Sequence, residues 1–413
     1  MDYIIEGGRR LSGEIAVCGA KNCALPLLGA SVLTDEQIVL HNCPAIVDVF
    51  NMLELLKAMG KSVFWQGDTV TVSGKLSTTT APQHLARLLR GSALILGGTL
   101  AAYGSVNLPL PGGCAIGARP MDIHLKGLES MGAEISCYDN ALHCNGVLHS
   151  AEYEMRFASV GATENLLCAA VLAKGTTVLS NCATEPEIEA LERMLVKMGA
   201  KIEGIGTPDV SVTSVKKLHG VEFDIIPDRI VAATYLSAAV AAGGQITVTN
   251  CNTNHLHAFL NVLRPHFNVV QYADAVTVTC ERQPLGYGRI CTAPYPFFPT
   301  DMQSLLLAMA SFSNGGQTVV QENLFENRLE HIASELVKLG GNITVKGNSA
   351  TVTGSKLTAS NVVARDLRGG AALAVAGLNA DGKTVVHGAE NICRGYMDLD
   401  ICLNVLGAKI HKL

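Results

Sequence analysis

Six copies of one pattern, each about 68 residues long, occupy nearly the whole chain. In each copy a helix of small apolar residues is followed by a turn with glycine, a short β-branched strand, a second helix and a hairpin. The second helix most often ends in Met-Gly or Leu-Gly, as at Met59-Gly60 and Leu339-Gly340, and the copy near Leu263 is degenerate. The first helices of the six copies are predicted to begin near Ala20, Arg90, Gly161, Asp228, Asp301 and Asp366.

The first helix of each copy is apolar on almost every side, as residues 163–171 illustrate, and such a helix belongs in a protein interior. The strands are short and alternate in polarity, as in residues 350–353, which indicates hairpins with one face in water. The sequence therefore predicts an α/β fold in which outer sheets cover buried helices. The simplest packing is two globular domains of three copies each, with the break near Ile226-Pro227. A solenoid of six copies is the alternative, although solenoid repeats are usually shorter and end in polar caps.

The composition excludes several classes of protein. Only 16% of the residues are charged and 48% are hydrophobic, so the chain is not intrinsically disordered. The net charge of −5 supplies no basic field for nucleic acid or an anionic membrane, so any anion must bind at a local site. The densest apolar stretch, residues 91–104, is too short and too rich in glycine to span a membrane.

The chain is expected to be a cytoplasmic monomer or weak oligomer. Its first residues lack the basic region and the apolar core of a secretory signal. The 13 cysteines are an odd number with no C-x-x-C pair, which indicates reduced thiols rather than disulfides or a zinc site. The 12 histidines show no metal-ligand spacing, so neither a metal nor a cofactor is expected.

Cations stand at four of the helix openings, where they oppose the helix dipole at a cost of a few tenths to about 1 kcal/mol each. Two explanations stay open. The cations are solvated or paired with a nearby carboxylate, as Asp228 and Asp366 permit, or they form an anion site with backbone N–H groups. The four residues are Lys21, Arg90, Arg229 and Arg368.

Residues 110–120 form the least regular segment of the chain, because glycines and prolines interrupt the second copy where a strand should lead into a helix. Such a segment is predicted to be a long loop that closes as a lid. It contains Cys114, with Arg119 five residues later, and a thiol near a cation has a lowered pKa and raised reactivity. An inert loop cysteine is the alternative.

Two further side chains have a structural and a chemical interpretation. Asp301 opens the apolar helix of the fifth copy, where an aspartate normally caps the helix and contributes about 1 kcal/mol. If a substrate hydroxyl lies nearby, the same carboxylate is a general base. His124, after the loop, is interpreted as a packing histidine.

Eight short motifs run in order along almost the whole chain. They are Gly19-Ala20-Lys21-Asn22, PGGCAIGARP at 111–120, SVGAT at 159–163, PDRI at 227–230, PTDMQ at 299–303, FENR at 325–328, DLR at 366–368 and RGY at 394–396. Together they resemble the motifs of the enolpyruvyl transferase family, and the loop around Cys114 is typical of the branch that acts on a nucleotide sugar.

The resemblance implies a fold and a reaction. The fold is an inside-out α/β barrel with one domain at 21–226, which carries the Cys114 loop, and a second at 1–20 plus 227–413, with the active site in the cleft between them. In the implied reaction the 3′-hydroxyl of UDP-N-acetylglucosamine attacks C2 of phosphoenolpyruvate, C3 is protonated, and the adduct then loses phosphate. This is the first committed step of peptidoglycan precursor synthesis, and its partners are those two small molecules, without nucleic acid, membrane insertion or cofactor.

The resemblance also implies roles for single residues. Cys114 is the acid that protonates C3, and Asp301 is the base for the sugar hydroxyl, with Lys21 and Arg394 completing the catalytic set. The residues implied for phosphoenolpyruvate are Lys21, Asn22, Arg90, Arg119, Arg328, Arg368 and Arg394, of which Arg328 and Arg368 hold its carboxylate. Those implied for UDP-N-acetylglucosamine are Asn22, Arg90, Arg119, Pro120, Met121, Asp122, Ile123, Ser159, Val160, Gly161, Thr300, Asp301 and Phe325.

Two positions depart from the family pattern. Phe157 stands where some members have a lysine, so any contact of that lysine with the diphosphate is absent, and Arg156 is not assumed to replace it. Lys61 follows Met59-Gly60 where a small residue is commoner, and it is interpreted as surface variation.

Three alternative functions remain. A sister enzyme would act on shikimate 3-phosphate, which the Cys114 loop disfavours, and another would act on a uridine nucleotide in a specialised pathway. A scaffold or regulatory paralogue would bind the nucleotide sugar without turnover. The last is disfavoured because none of the implied catalytic residues is substituted.

Overall fold

The computed structural model describes residues 1–110, 121–325 and 327–413, and these divide into two compact units. One, called the 19–226 unit, comprises described residues 19–110 and 121–226. The other, called the 227–413 unit, comprises residues 1–18, 227–325 and 327–413. Each unit has its own hydrophobic core. No helix in the described ranges combines the length and the apolar character that crossing a bilayer requires.

The 19–226 unit has three sheets, one for each copy of the repeat. Its strands, in sheet order, are Val221–Asp224, Ile38–His41, Thr69–Ser73 and Ser62–Gln66; then Ser105–Pro109, Ala141–Asn145 and Glu134–Tyr138; then Lys201–Glu203, Val210–Thr213, Thr176–Ser180 and Glu152–Glu154. Strand Val221–Asp224, from the end of the third copy, pairs in parallel with Ile38–His41 of the first copy. The end of the third copy is therefore joined to the first copy by backbone hydrogen bonds.

The 227–413 unit also has three sheets, each with one parallel contact and two antiparallel contacts. The strands are Asn268–Gln271, Ala275–Cys280, Gly244–Thr249 and Leu11–Ala16; then Gly288–Cys291, Gln317–Gln321, Ser349–Thr353 and Asn342–Lys346; then Asn361–Val363, Lys383–His387, Asp2–Glu6 and Ile410–Lys412. The start of the chain thus supplies one strand to the first of these sheets and one to the last.

Apart from the short helix Gln83–Ala86, the helices of each unit alternate between a buried helix and a second, amphipathic helix. In the 19–226 unit they are Lys21–Ala30, Val47–Ala58, Gln83–Ala86, Leu96–Tyr103, Asp122–Ser130, Val160–Ala170 and Pro186–Lys197, with 3-10 turns Ser31–Leu33 and Arg90–Ile95. In the 227–413 unit they are Arg229–Ala242, His257–Leu263, Gln303–Ser311, Arg328–Lys338, Leu367–Asn379 and Leu399–Val405, with 3-10 turns Thr253–Leu256, Thr300–Met302 and Ala389–Arg394.

The central helices are buried because mostly small or apolar side chains cover all their faces. Every residue from 229 to 241 and from 303 to 311 is buried, and these two helices pack against each other and against Leu367–Asn379. In the 19–226 unit the close packing depends on Gly97, where a Cβ atom would lie 2.1 Å from the backbone oxygen of Asn165. The strands outside show the alternating exposure of half-buried hairpins, as in Ser349–Thr353.

The predicted fold class is confirmed, since three copies in each unit place a buried helix beneath an outer sheet. Two local predictions need correction. Arg90 and Asp301 lie in 3-10 turns that precede the α-helices beginning at Leu96 and Gln303. The interpretation of Lys61 as surface variation is wrong, because this residue is only 4% exposed and its ammonium group donates to the backbone oxygens of Thr34 and Gly74.

Candidate functional site

The aspartates at two helix openings cap the helices. Asp228 accepts hydrogen bonds from the backbone N–H groups of Ile230 and Val231, at 2.8 and 3.0 Å. Asp366 accepts from those of Arg368 and Gly369, at 3.0 and 2.9 Å. Each carboxylate accepts hydrogen bonds from N–H groups that have no partner within the first helical turn. Its negative charge is also stabilised by the positive, N-terminal end of the helix dipole.

Asp301 lies between two buried guanidinium groups of the 227–413 unit. Its Oδ1 atom accepts from Nη2 of Arg328 at 2.9 Å, and its Oδ2 atom accepts from Nη2 of Arg368 at 3.5 Å. The arginine side chains are 4% and 5% exposed, whereas that of Asp301 is 28% exposed. Asp301 is not the N-cap of its 3-10 turn, a position that Pro299 occupies. A carboxylate that stays open to solvent beside two buried cations can receive a substrate hydroxyl.

Both arginines keep a donor that the described residues do not use. Nε of Arg328 and Nη1 of Arg368 are buried and have no hydrogen-bond partner within the described ranges. A buried N–H group that is not hydrogen-bonded costs free energy, so the two donors favour an anionic ligand at this point. Guanidinium groups suit a planar carboxylate because their N–H donors match its two oxygens.

The sequence around each arginine fixes its direction. Asn327 has a left-handed backbone with φ of 60°, which asparagine tolerates better than most residues, and the helix begins at Arg328 directly after it. The Arg328 guanidinium lies 5.4 Å from the ring centre of Phe325, while that of Arg368 lies 5.8 Å from the ring centre of Tyr396. Although burial opposes it, the pKa of Arg368 is raised, because the charge of Asp301 and the nearby Tyr396 favour the cation.

A buried carboxylate that the sequence interpretation missed, Glu322, stands behind this cluster. It accepts a 2.7 Å hydrogen bond from the hydroxyl of Thr300, and that hydroxyl accepts one of 2.8 Å from Nη1 of Arg328. Its position directly after strand Gln317–Gln321 gave no signal of a role, because an acidic residue after a strand is usually a solvated loop residue.

In the 19–226 unit, Lys21 opens the first buried helix and pairs with Asp48. Its Nζ atom lies 2.6 Å from Oδ2 of Asp48, whose side chain is 2% exposed. Asp48 lies in the first turn of helix Val47–Ala58, and no motif had marked it. Asn22 follows Lys21 in the same helix and is half-buried. The carboxylate that partners this helix-opening cation therefore comes from a different helix.

Arg90, His124 and Gly161 lie in one neighbourhood of the 19–226 unit. Burial, together with the Arg90 guanidinium, lowers the pKa of His124 to about 4, so the imidazole is neutral near pH 7. Nδ1 of this ring lies 3.1 Å from Nδ2 of Asn165, and a Cβ atom at Gly161 would lie 3.2 Å from its Cε1 atom. His124 is thus buried as the sequence predicted, and it packs beneath the SVGAT segment.

Residues 121–123 and 153–161 of this unit are linked by polar contacts. Nη2 of Arg156 lies 3.0 Å from Oδ2 of Asp122, and the hydroxyl of Tyr153 donates to the backbone oxygen of Ile123 at 3.1 Å. The guanidinium of Arg156 also lies 5.7 Å from the ring centre of Phe157, which is exposed. Met121 is buried, Ser159 caps helix Val160–Ala170, and Val160 is its first residue.

The structure brings the predicted residues of the 227–413 unit together into one set, whereas in the 19–226 unit its contacts join smaller sets, at Lys21 with Asp48, at Arg90 with His124 and at Asp122 with Arg156. Thr300, Asp301, Phe325, Arg328 and Arg368 form the set of the 227–413 unit, and Arg394 ends the 3-10 turn Ala389–Arg394 of the same unit. Cys114, Arg119 and Pro120 lie outside the described residues. No group of three or more histidine, cysteine, aspartate or glutamate side chains suited to a metal ion occurs in the described part of the chain.

The family model and the relatives that match this chain are all carboxyvinyltransferases. The model of the family described as EPSP synthase (3-phosphoshikimate 1-carboxyvinyltransferase) matches residues 5–400. A UDP-N-acetylglucosamine 1-carboxyvinyltransferase from Granulibacter bethesdensis is 43% identical, with 100% of both chains covered. UDP-N-acetylglucosamine 1-carboxyvinyltransferase 2 from Caldanaerobacter subterraneus subsp. tengcongensis is 42% identical over 100% of this chain and 99% of the relative.

Solved structures agree with the fold. The enolpyruvyl transferase NikO from Streptomyces tendae superposes with a TM-score of 0.91 at 24% identity, covering 99% of this chain and 98% of that one. An EPSP synthase from Acinetobacter baumannii superposes with a TM-score of 0.74 at 18% identity, covering 100% of both chains. At these identities the likeness concerns the fold alone.

Proposed function

The chain belongs to the EPSP synthase family of enolpyruvyl transferases, and on that premise we propose that it transfers the enolpyruvyl group of phosphoenolpyruvate to the 3′-hydroxyl of UDP-N-acetylglucosamine and releases phosphate. Relatives that are 42–43% identical over the full length carry the name of that activity. The reaction is the first committed step of peptidoglycan precursor synthesis. In keeping with the described cysteines, which are free thiols, we place this reaction in the cytoplasm.

The observation that carries the proposal is the position of Asp301 between Arg328 and Arg368. Oδ1 and Oδ2 each contact a buried guanidinium, and the exposed side of the carboxylate remains able to accept the proton of a sugar hydroxyl. The unused donors Nε of Arg328 and Nη1 of Arg368 supply N–H groups for the carboxylate of phosphoenolpyruvate. The same cluster thus serves both reactants.

The remaining roles follow from the family motifs. We assign the phosphate to Lys21, Arg119 and Arg394, with Arg90 close by, because a doubly charged leaving group needs several cations. Cys114 is assigned as the acid that protonates C3 and takes part in product release, which requires a thiol shielded from bulk water. Asn22 and Asp301 are assigned to the sugar, with Thr300 and Phe325 nearby, and residues 119–123 and 159–161 to uridine and diphosphate.

The ion pair between Arg156 and Asp122 bears on how the diphosphate could be bound. The exposed Arg156 side chain pairs with Asp122, a residue assigned to the nucleotide, while Phe157 stands where some family members have lysine. The Arg156 guanidinium is therefore engaged by a carboxylate next to the nucleotide residues. We assign Arg156 no contact with the diphosphate.

Shikimate 3-phosphate is a second candidate acceptor, because the matching family is described as 3-phosphoshikimate 1-carboxyvinyltransferase. Full-length identity of 42–43% to nucleotide-sugar enzymes outweighs it, since the EPSP synthase structure shares 18% identity with this chain. The test is phosphate release from phosphoenolpyruvate with each acceptor in turn. We expect turnover with UDP-N-acetylglucosamine, and turnover with shikimate 3-phosphate alone would overturn the assignment.

A further inference from the structure

We propose that Glu322 is a positioning residue of the active site, which orients the Thr300 hydroxyl so that it accepts from Arg328 and thereby holds the guanidinium that contacts Asp301. This inference rests on the proposed function, because it concerns how the general base and the carboxylate-binding arginine are arranged. Glu322 lies outside the motifs that carry the family resemblance, and neither composition nor spacing distinguishes it from an ordinary loop residue.

Glu322 is a buried carboxylate that hydrogen bonds alone compensate. It is 2% exposed, and within the described ranges no lysine, arginine or histidine lies within ion-pair distance of it. Its Oε1 atom accepts from the hydroxyl of Thr292 at 3.0 Å and from the N–H groups of Leu324 and Phe325 at 2.9 and 3.2 Å. Its Oε2 atom accepts from Thr300 at 2.7 Å. Burial of a carboxylate is costly without such donors, so all four contacts constrain its position.

The direction of each hydrogen bond through Thr300 is determined by its neighbours. A carboxylate can only accept, and a guanidinium can only donate. The Thr300 proton must therefore point to Glu322, which leaves a lone pair of the hydroxyl oxygen for Nη1 of Arg328 at 2.8 Å. With Nη1 fixed in this way, Nη2 of the same planar group faces Oδ1 of Asp301 at 2.9 Å. Glu322 thus acts on Asp301 through two intermediate side chains.

The same carboxylate also fixes the other side of Arg328. By accepting from the N–H groups of Leu324 and Phe325, it holds the segment that carries the Phe325 ring, over which the Arg328 guanidinium lies at 5.4 Å. Glu322 follows directly on strand Gln317–Gln321, which pairs with neighbouring strands on both sides. A rigid strand end therefore supports both contacts, as precise placement of a charged site residue requires.

Thr292 supplies a matched control, because its hydroxyl donates to the same carboxylate and, within the described ranges, forms no hydrogen bond with Arg328 or Asp301. Its hydroxyl accepts from the N–H group of Asn323 at 3.0 Å, a contact that serves the loop. Thr292→Val and Thr300→Val each remove one hydroxyl donor from Glu322. Only the second removes the acceptor of Arg328.

The experiment compares Glu322→Gln, Thr300→Val, their double variant and Thr292→Val with the wild type. It measures kcat/KM for phosphoenolpyruvate with UDP-N-acetylglucosamine, together with thermal unfolding. In Glu322→Gln three donors hold the amide oxygen at the Oε1 position, so the amide NH2 faces the Thr300 oxygen and competes with Arg328. We expect kcat/KM to fall about 10- to 100-fold, the range for loss of hydrogen bonds to charged groups.

We expect Thr300→Val to lower kcat/KM by a similar factor. The double variant should have about the same kcat/KM as the less active of the two single variants, because both substitutions act through one contact. Thr292→Val should stay within about threefold of the wild type while losing thermal stability comparable to Thr300→Val. A merely structural role of Glu322 would lower stability without this pattern of kcat/KM.

Three results would overturn the inference: wild-type kcat/KM in Glu322→Gln, multiplicative losses in the double variant, or equal losses in Thr292→Val and Thr300→Val. If Glu322→Gln does not fold, the last comparison decides alone. Failure of the proposed function is a separate result, since it would leave the wild type itself without turnover of these substrates.

Discussion

The Oδ1 atom of Asp301 accepts a 2.9 Å hydrogen bond from Nη2 of Arg328, a residue 27 positions later in the chain. The two groups differ in their access to solvent, with the arginine 4% exposed and the aspartate 28% exposed. The cation is thus more deeply buried than the carboxylate, and a second buried cation, Arg368, lies 3.5 Å from Oδ2. Under the proposed function, this order would place the carboxylate towards substrate and the two buried charges behind it.

Arg368→Lys should lower kcat/KM for phosphoenolpyruvate about 10- to 100-fold, chiefly by raising KM. Lysine keeps the charge but cannot offer parallel N–H groups to Asp301 and a substrate carboxylate together. The control is Arg365→Lys, because Arg365 is half-exposed and lies 3.9 Å from Glu335. Steady-state kinetics with both variants checks this, and an unchanged kcat/KM in Arg368→Lys would remove its assigned role.

Lys21→Met should cost stability as well as turnover, because it removes the ammonium group 2.6 Å from the buried carboxylate of Asp48. We expect a loss of about 3 kcal/mol in the free energy of unfolding. Adding Asp48→Asn should restore most of that loss but not turnover, since the neutral pair supplies no cation for phosphate. Denaturant unfolding and phosphate release on the single and double variants separate the two effects. Recovery of turnover in the double variant would show that Lys21 is structural only.

Glu192→Gln should stabilise the protein above pH 7. Burial, and to a smaller extent Glu189, raises the pKa of Glu192 from 4.5 to about 7, while the N–H group of Gly206 opposes the shift. Between pH 4.5 and 7 the unfolded chain loses this proton before the folded protein does, so stability falls with rising pH and stays lower above pH 7. The variant should lack that fall and gain up to about 3 kcal/mol at pH 8.

Urea unfolding at pH 4 and pH 8 measures this effect, with Glu203→Gln as an exposed control in the same unit. At pH 4 Glu192→Gln and the wild type should have nearly equal stability, because the wild-type carboxyl is then mostly protonated in both states. A gain of the same size at both pH values would contradict the linkage to Glu192 ionisation.

Cys114→Ser should lose most turnover, although Cys114 lies outside the described residues. A fosfomycin-type epoxide should alkylate the wild-type protein once in the presence of UDP-N-acetylglucosamine, as intact-protein mass spectrometry would record. Cys137 and Cys291 are the exposed thiols of the described part, so a variant with serine at both positions should still form the adduct. Absence of the adduct in the wild type would count against the assigned acid.

Most of the architecture could be predicted from the sequence because its signals are local. A helix that is apolar on all sides is predicted to be buried. Asp228 and Asp366 mark the starts of two helices, which begin in the structure at Arg229 and Leu367. The repeat then supplied the number of sheets. The 3-10 turns that contain Arg90 and Asp301 departed from this pattern, because short-range propensity does not separate them from the α-helices they precede.

The pairings within the sets could not be predicted, because they join residues far apart in sequence. Arg368 meets Asp301 across 67 positions, and no sequence signal linked them or linked Lys21 with Asp48. The contacts of Lys61 could not be predicted from the sequence either. Its acceptors are the backbone oxygens of Thr34 and Gly74, which no side-chain pattern reveals, and burial lowers its pKa to about 8.

Turnover of Asp301→Asn with phosphoenolpyruvate and UDP-N-acetylglucosamine tests the central claim, that this carboxylate is the general base. Asparagine keeps an oxygen acceptor for Arg328 but cannot take a proton. We therefore expect phosphate release to fall by about 100- to 10,000-fold with unchanged circular dichroism. Asp381→Asn, at an exposed ion pair with Lys356, should keep wild-type activity. Wild-type turnover in a folded Asp301→Asn variant would contradict the claim.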